Sequence, residues 1–337
     1  MNTLKYFLSR SIQTIKEQGF FYFFKVFMGK ILGKNLEFID FVFRKWSYYF
    51  RGSEIGFAMI RDSYLYMERS DFPDRYSAMI SGLDDESKKT VDLFMKHIRL
   101  FYHNNVVHEV ELFAEREKKL QQKSFEFMGK YWVLHPTGYG IFENPEILKQ
   151  IGTGAIFDVG ASDGIEAMMF AKFLPNSKKV YAFEPSSYNC NRLKKHISQS
   201  EFSTKVFPEQ IALGQEDGEM ELFGSGWAEV SFINLGNNIS ASEKVQVMTI
   251  DSFVEKAKIE RVGLIKWDIE WAEIESIIGG KETIMRDRPV LVISIYHNGR
   301  EFFETKPLLE SWNLGYRFQI LQSEPGGTWV GVVLICY

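Results

Sequence analysis

The stretch Ala155-Ile156-Phe157-Asp158-Val159-Gly160-Ala161-Ser162-Asp163-Gly164 constrains the fold more than any other part of the chain. It opens with a short apolar run, the pattern of a buried strand, and passes at once into small and acidic residues. Ile165 to Phe173 then carries apolar residues at helical spacing. A strand–turn–helix unit of this kind belongs at the carboxyl edge of a parallel sheet, where Gly160, Ala161 and Gly164 let the backbone approach a ligand closely. Asp163 falls near the helix start, where a carboxylate is favoured and can accept free backbone N–H groups. By geometry that edge is a cofactor site.

The acids narrow the cofactor. A dinucleotide fold would present G-x-G-x-x-G, seating a pyrophosphate on bare N–H groups. This chain has G-x-x-x-G with Asp158 and Asp163 beside it. Fixed carboxylates repel a pyrophosphate but suit a cation such as the amino and sulfonium groups of S-adenosylmethionine. A second acid, Glu184, ends the next apolar run, Val180-Tyr181-Ala182-Phe183, and is placed to accept two ribose hydroxyls. NAD enzymes use the same device, so Glu184 does not discriminate between the two.

From residue 155 onward strands and helices alternate, which implies an α/β fold with a parallel sheet and helices on both faces. Strands are expected at 155–159, 179–184, 205–212, 220–223, 245–249, 263–268, 290–296, 316–321 and 329–336. Helices are expected at 164–174, 187–198, from an Asp251 or Ser252 cap to 258, at 272–278 and near 302–312. Residues 224–244, rich in Gly, Asn and Ser, read as a long loop over the carboxyl edge.

Taken in order, D-V-G-A-S-D-G, A-F-E-P, I-A-L-G at Ile211–Gly214, T-I-D at Thr249–Asp251 and I-K-W-D-I-E-W-A-E at Ile265–Glu273 resemble the FkbM family of S-adenosylmethionine-dependent methyltransferases. The resemblance covers about residues 125 to 337. It implies a class I methyltransferase (Rossmann-like) sheet of seven strands ending in an antiparallel pair, and O-methylation of a carbohydrate, glycan or glycolipid. It also implies a cofactor-binding set of Asp158, Gly160, Ala161, Ser162, Asp163, Gly164, Glu184, Pro185, Ser186, Gln210, Ile211 and Asp268. The chain departs from the family at Trp271, where a glycine is usual, and that bears on the acceptor pocket. Two alternatives stand beside this reading: a nicotinamide-dependent oxidoreductase, and a non-catalytic nucleotide-binding module.

A base for a sugar hydroxyl must stand across from the cofactor, at the ends of the strands expected at 263–268 and 290–296. Asp268, Glu270 and Glu273 gather at the first and His297 at the second. His297 and Glu270 are the candidate bases, with Asp268 toward the cofactor. Glu273, opening a helix, has a good structural role as an N-terminal carboxylate. No spacing demands a metal, although three neighbouring acids suit Mg²⁺.

The remaining 124 residues at the front read as mostly helical, with a long helix from Asp84 or Asp85 to about Leu100, a polar helix at 109–122 and a hairpin at 125–134 just past the boundary. His97, His103 and His108 lie there without metal-ligand spacing. Residues 1–51 hold nine Lys/Arg against three Asp/Glu, among many Phe and Tyr, while the whole chain carries −4. That segment suits packing on the main domain or on a second copy, or contact with the inner face of a membrane. The overall charge excludes a global nucleic-acid signature. Cys190 and Cys336, far apart and without a secretory leader, fit reduced thiols in a cytoplasmic protein.

Overall fold

The computed structural model describes residues 54–104, 138–177, 179–223, 241–323 and 330–337. The basic segment 1–51, His108, the helix at 109–122, the hairpin at 125–134 and the boundary near 124 lie outside these residues. The helices before the boundary that are described belong to one compact unit with the sheet, Glu54–Tyr337. No described helix is long and apolar enough to cross a membrane.

Three helices open the unit: α1 (Glu54–Met67), α2 (Phe72–Ile80) and α3 (Asp85–Asn104). Asp84 caps α3 by accepting the Ser87 N–H at 2.7 Å. After α4 (Pro145–Ile151) the alternating half begins with β1 (Ala155–Val159), α5 (Ile165–Phe173), β2 (Val180–Phe183), α6 (Ser187–Ser198) and β3 (Val206–Glu209). Next come β4 (Ala212–Leu213), β5 (Gly218–Phe223), β6 (Ala241–Met248), α7 (Ile250–Lys256) and β7 (Val262–Trp267). The chain closes with α8 (Glu273–Ile278), α9 (Lys281–Asp287), β8 (Val290–Ser294), α10 (Gly299–Ser311), β9 (Phe318–Gln322) and β10 (Val332–Cys336).

Seven strands form the main sheet in the order β3-β2-β1-β7-β8-β10-β9. Only β10 runs against its neighbours; the pairs among β3, β2, β1, β7 and β8 are all parallel. Strands buried on both faces can be continuously apolar, as Ala155–Val159 and Val290–Ser294 nearly are. Phe157, Val159, Ile265 and Trp267 point into one core cluster, Ile156, Leu264 and Val292 into the other. The first cluster is closed by the opening helices: Phe94 of α3 stacks on Phe302 of α10 at 3.8 Å, and Tyr66 and Phe72 pack against Phe303. The edge strand β9 is also covered, since the Ile320 N–H donates to Ser87 Oγ at 2.9 Å.

Several local expectations change. The strand expected at 205–212 breaks at Gln210-Ile211, and its second piece pairs with β6 in a separate three-stranded sheet, β4-β6-β5. That sheet also makes strand of residues 241–244, expected as loop. Helix α7 is capped by Thr249, whose side chain accepts the Ser252 N–H at 2.9 Å. Asp251 instead reaches the start of α9, accepting the N–H groups of Glu282 and Thr283.

The turn after β1 is fixed by its neighbours. Gly160 has φ +82°, and a Cβ there would lie 1.9 Å from the Asp268 carbonyl oxygen. Gly164 has φ +85°, with Leu193 Cδ1 2.3 Å from its would-be Cβ. The close approach expected for a ligand is therefore made by β7 and α6. Gly160→Ala combines about 1–3 kcal/mol of backbone strain with an overlap against rigid backbone. We expect it to be recovered mainly in inclusion bodies, or to melt well below the parent by circular dichroism. A melting temperature equal to the parent's would show that the turn is not held this tightly.

Candidate active site

The residues singled out by sequence separate into two groups at the carboxyl edge. The first is interior. Asp158 of β1 stands in register with Lys266 of β7, so both side chains leave the same face of the sheet. Lys266 Nζ lies 3.2 Å from Asp158 Oδ1 and 2.9 Å from Glu166 Oε2. Tyr139 donates to Glu166 at 2.7 Å, and Lys266 also reaches the Gly160 carbonyl at 3.3 Å. Burial raises the Asp158 carboxyl to about 6 while Lys266 opposes it. Burial works against the Lys266 ammonium too, but Asp158 and Glu166 hold it well above the ordinary lysine range. Asp158, expected to attract a cationic ligand, is thus already paired inside the protein.

Asp163 is also engaged, from the other side. Its carboxylate lies 3.7 Å from Arg192 of α6, and His196 Nδ1 sits 2.8 Å from its carbonyl oxygen. Burial raises its carboxyl, while His196 and Arg192 lower it. The turn's N–H groups are occupied as well. Gly160 and Ala161 donate to the Phe183 carbonyl, Gly164 to the Ala161 carbonyl, and Ser162, at φ +49°, to Glu184 Oε2 at 2.9 Å.

Glu184 faces the edge from the end of β2, with Oε1 accepting the Ser186 N–H at 3.0 Å. Ser186 caps α6, and Asn189 hydrogen-bonds the same carboxylate. Burial pushes Glu184 up to about 7 against these donors. Of the remaining cofactor candidates, Ala161 is buried under α5, Pro185 is half-buried, Ile211 lies against the core, and Gln210 accepts from Lys194 at the far end of β3.

The second group is built on β7 and β8. Asp268, Ile269, Glu270 and Trp271 form the loop into α8, and both Glu270 (φ +53°) and Trp271 (φ +86°) hold left-handed backbone. For a residue as bulky as Trp this is a strained conformation, which persists only where the surroundings impose it. Glu270 is half-buried, with Oε2 sealed from solvent and without a hydrogen-bond partner among the described residues. Burial raises its carboxyl to about 8; His297 opposes the shift, and Asp268, Glu273 and Glu184 add to it by repulsion.

His297, a candidate base, has neither nitrogen free. Nε2 lies 3.2 Å from Asp268 Oδ1, and Nδ1 lies 3.0 Å from Glu273 Oε1 and 3.8 Å from Glu301 Oε2. Burial lowers its basicity, but Glu273 and Asp268 outweigh burial and hold the imidazole well above 6.5. Both ring nitrogens therefore face carboxylates, Nε2 toward Asp268 and Nδ1 toward Glu273. Glu273 has the structural role expected at a helix start, accepting the Ile269 N–H at 2.9 Å, and also anchors His297.

Two participants are not among the residues picked out by sequence. Lys266 sits inside an apolar strand, and a lysine within Leu264-Ile265-Lys266-Trp267 is itself a signal that a buried acid must face it. Glu301 falls just outside the helix expected near 302–312. The signal for it is Asn298, three residues ahead: its side chain accepts the Glu301 N–H at 2.9 Å and begins the helix there. Neither His97, which is buried, nor His103 joins the site residues in any described contact.

Comparison with known proteins agrees with this architecture. Residues 158–318 match the family described as Methyltransferase FkbM domain. The chain is 24% identical over 200 residues to the 2-O-methyltransferase NoeI of Sinorhizobium fredii (strain NBRC 101917 / NGR234), covering 53% of this chain and 78% of that protein. In fold it is similar to the crystal structure of Methyltransferase FkbM from Methylobacillus flagellatus KT, with a TM-score of 0.53 and 15% identity. That alignment covers 79% of this chain and 59% of the other, so this chain spans less than two thirds of that relative's length. Most of this Rossmann-like sheet with its one reversed strand thus lies within residues 158–318, the stretch that matches the FkbM methyltransferase family.

Proposed function

We propose that the protein transfers a methyl group from S-adenosylmethionine to a hydroxyl oxygen of a carbohydrate or glycolipid acceptor, with Glu270 as general base. The observation that carries this is the Glu270 carboxyl: its Oε2 is sealed and, among the described residues, unpartnered, and it is held on strained backbone at the edge where β7 ends. A buried acceptor atom left without a donor costs stability, and it persists where a ligand supplies the partner.

The residues fit the donor. Glu184 presents a buried carboxylate at the end of β2, suited to a ribose diol. The edge presents the carboxyl groups of Glu184, Glu270 and Asp268 and, among its described residues, no cationic side chain aimed at a phosphate, which favours a sulfonium over a phosphate. The turn's N–H groups bond to the protein, whereas a pyrophosphate would need them free. The family match likewise favours methyl transfer over hydride transfer.

When bound, the donor supplies a sulfonium-activated methyl carbon, which the acceptor oxygen takes by in-line displacement as the carbon–sulfur bond breaks. Glu270 in its ionised form takes the hydroxyl proton as the new bond forms, and because burial raises its carboxyl to about 8 the rate should climb as pH rises through that value. His297 keeps Asp268 in place, and Trp271 flanks the acceptor side. Oxygen as the methylated atom is supported by the name of the NoeI relative, a 2-O-methyltransferase. A carbohydrate acceptor rests on the family resemblance. The cationic segment 1–51 suits an anionic or lipid-linked carrier at the inner face of a membrane.

Isothermal titration of the full chain separates the donor classes. S-adenosylhomocysteine is expected to give a saturable heat and NAD none. Binding of NAD alone, or no heat from S-adenosylhomocysteine at millimolar concentration, would overturn the reading.

A further inference from the structure

Asp268, Glu273 and His297 come from three different elements: the end of β7, the start of α8 and the end of β8. One carboxylate oxygen of each acid and one ring nitrogen of the histidine all lie within 4.8 Å of one another. Metal–ligand bonds of about 2.0–2.2 Å hold ligand atoms about 3–4.4 Å apart, so the group is near that range, and the imidazole, now between the two acids, must turn to present one nitrogen to the ion. We propose that these three residues form a site for one divalent transition-metal cation.

A second observation points the same way. Among the described residues, Glu273 Oε2 and both carboxylate oxygens of Glu301 are buried with no donor other than a proton the two carboxyls share, on side chains 0% and 2% exposed. Buried carboxylates require a compensating cation or proton, and three of them here share the single charge that the His297 ring can carry. Lys266, the nearby buried lysine, already lies between Asp158 and Glu166. The surroundings have the form of an outer coordination shell, in which acids and backbone groups orient the ligands. Glu301 Oε2 stands 3.8 Å from His297 Nδ1, and the Ile269 N–H fixes Glu273 at 2.9 Å. Entry is through Asp268, 18% exposed where His297 and Glu273 are sealed.

The donor set chooses the metal. Mg²⁺ and Ca²⁺ prefer shells made only of oxygen, whereas one imidazole with two carboxylates suits Mn²⁺ or Fe²⁺. Binding replaces one proton of the imidazolium with the ion and releases that proton to solvent. An ion held there would stand among the groups whose charges bear on Glu270, and would suit an acceptor oxygen as a ligand. That consequence rests on the methyl-transfer reading; occupancy of the site does not.

The test uses the full chain, treated with chelator and titrated with Mn²⁺ alone. One ion per chain is expected, with ¹⁴N coupling to an imidazole in the electron spin-echo spectrum. His297→Gln should abolish both signals. Glu301→Gln, one step removed from the ion, should weaken binding by about 10–100-fold. Glu255→Gln, on the exposed face of α7, should bind like the parent. Because a buried-site variant can fail to fold, the parent's melting temperature is a second measurement, and Mn²⁺ should raise it through linkage. Absence of stoichiometric binding to the parent, or binding without nitrogen coupling, overturns the site. If Mn²⁺ fails while S-adenosylhomocysteine binds, the metal site falls and the methyl-donor reading stands. If Mn²⁺ binds while S-adenosylhomocysteine does not, the metal site stands and the methyl-donor reading falls.

Discussion

Replacing Glu270 with glutamine is expected to lower kcat for methyl transfer by about 10²-fold or more, the usual scale for losing a general base, while S-adenosylhomocysteine binds nearly as before. The substitution keeps the side chain's length and its left-handed backbone, and removes only the ability to take a proton. An amide also relieves the repulsion from Asp268, Glu273 and Glu184, so the variant should be no less stable than the parent. The check is the initial rate of label transfer from methyl-labelled S-adenosylmethionine to glycan of the producing cell, beside calorimetry of cofactor binding. Parent-like turnover would remove Glu270 from the chemistry, and loss of cofactor affinity with kcat intact would make it a binding residue. Glu270→Asp, which keeps the carboxylate on a shorter stem, should recover part of the activity.

The largest effect on stability is expected at Lys266. Its ammonium lies between Asp158 and Glu166 and is 2% exposed. Lys266→Met keeps the volume and leaves two acids facing each other in the interior, which should cost about 3–5 kcal/mol in urea unfolding. Adding Asp158→Asn and Glu166→Gln should return most of that loss, because a buried pair removed as a unit costs far less than a broken one. The sign of the pH dependence follows from the acids. Burial raises Asp158 to about 6, above its unfolded value of 3.8. A carboxyl raised in this way favours the fold when protonated, and that contribution declines as pH rises through about 6. Without Lys266 the rise is larger, so the variant should lie closer to the parent at pH 5 than at pH 8. A loss below about 1 kcal/mol at neutral pH would mean that water reaches the acids.

Local sequence made much of the framework legible. The run Ala155–Val159 and the helical spacing after Ile165 fall on β1 and α5 within a residue, since both periodicities are set by neighbours in sequence. Thr249 and Asp251 show the limit. Either is a good cap, and the choice depended on where α9 came to rest against α7. Helix α9 itself gives no separate signal between strong neighbouring ones. At the site, the grouping of Asp268, Glu270, Glu273 and His297 followed from placing strand ends, but their roles did not. Whether His297 carries a free lone pair depends on Glu273 and Glu301, which only helix packing brings to its Nδ1.

What the amino-acid order determined by itself was the list of elements and which ends of them bear acids. Hydrophobic period and turn chemistry act over a few residues and need no knowledge of the rest of the chain. What only the tertiary structure decided was which acids are already paired and which stay open. Asp158 meets Lys266 through strand register, Asp163 in the turn meets Arg192 of α6, and Glu270 meets no donor for its Oε2 among the described residues. Register and burial are non-local, and they set the energy of each charge through its desolvation and its partner. The edge was therefore written in sequence, and its division into structural and reactive carboxylates in the fold.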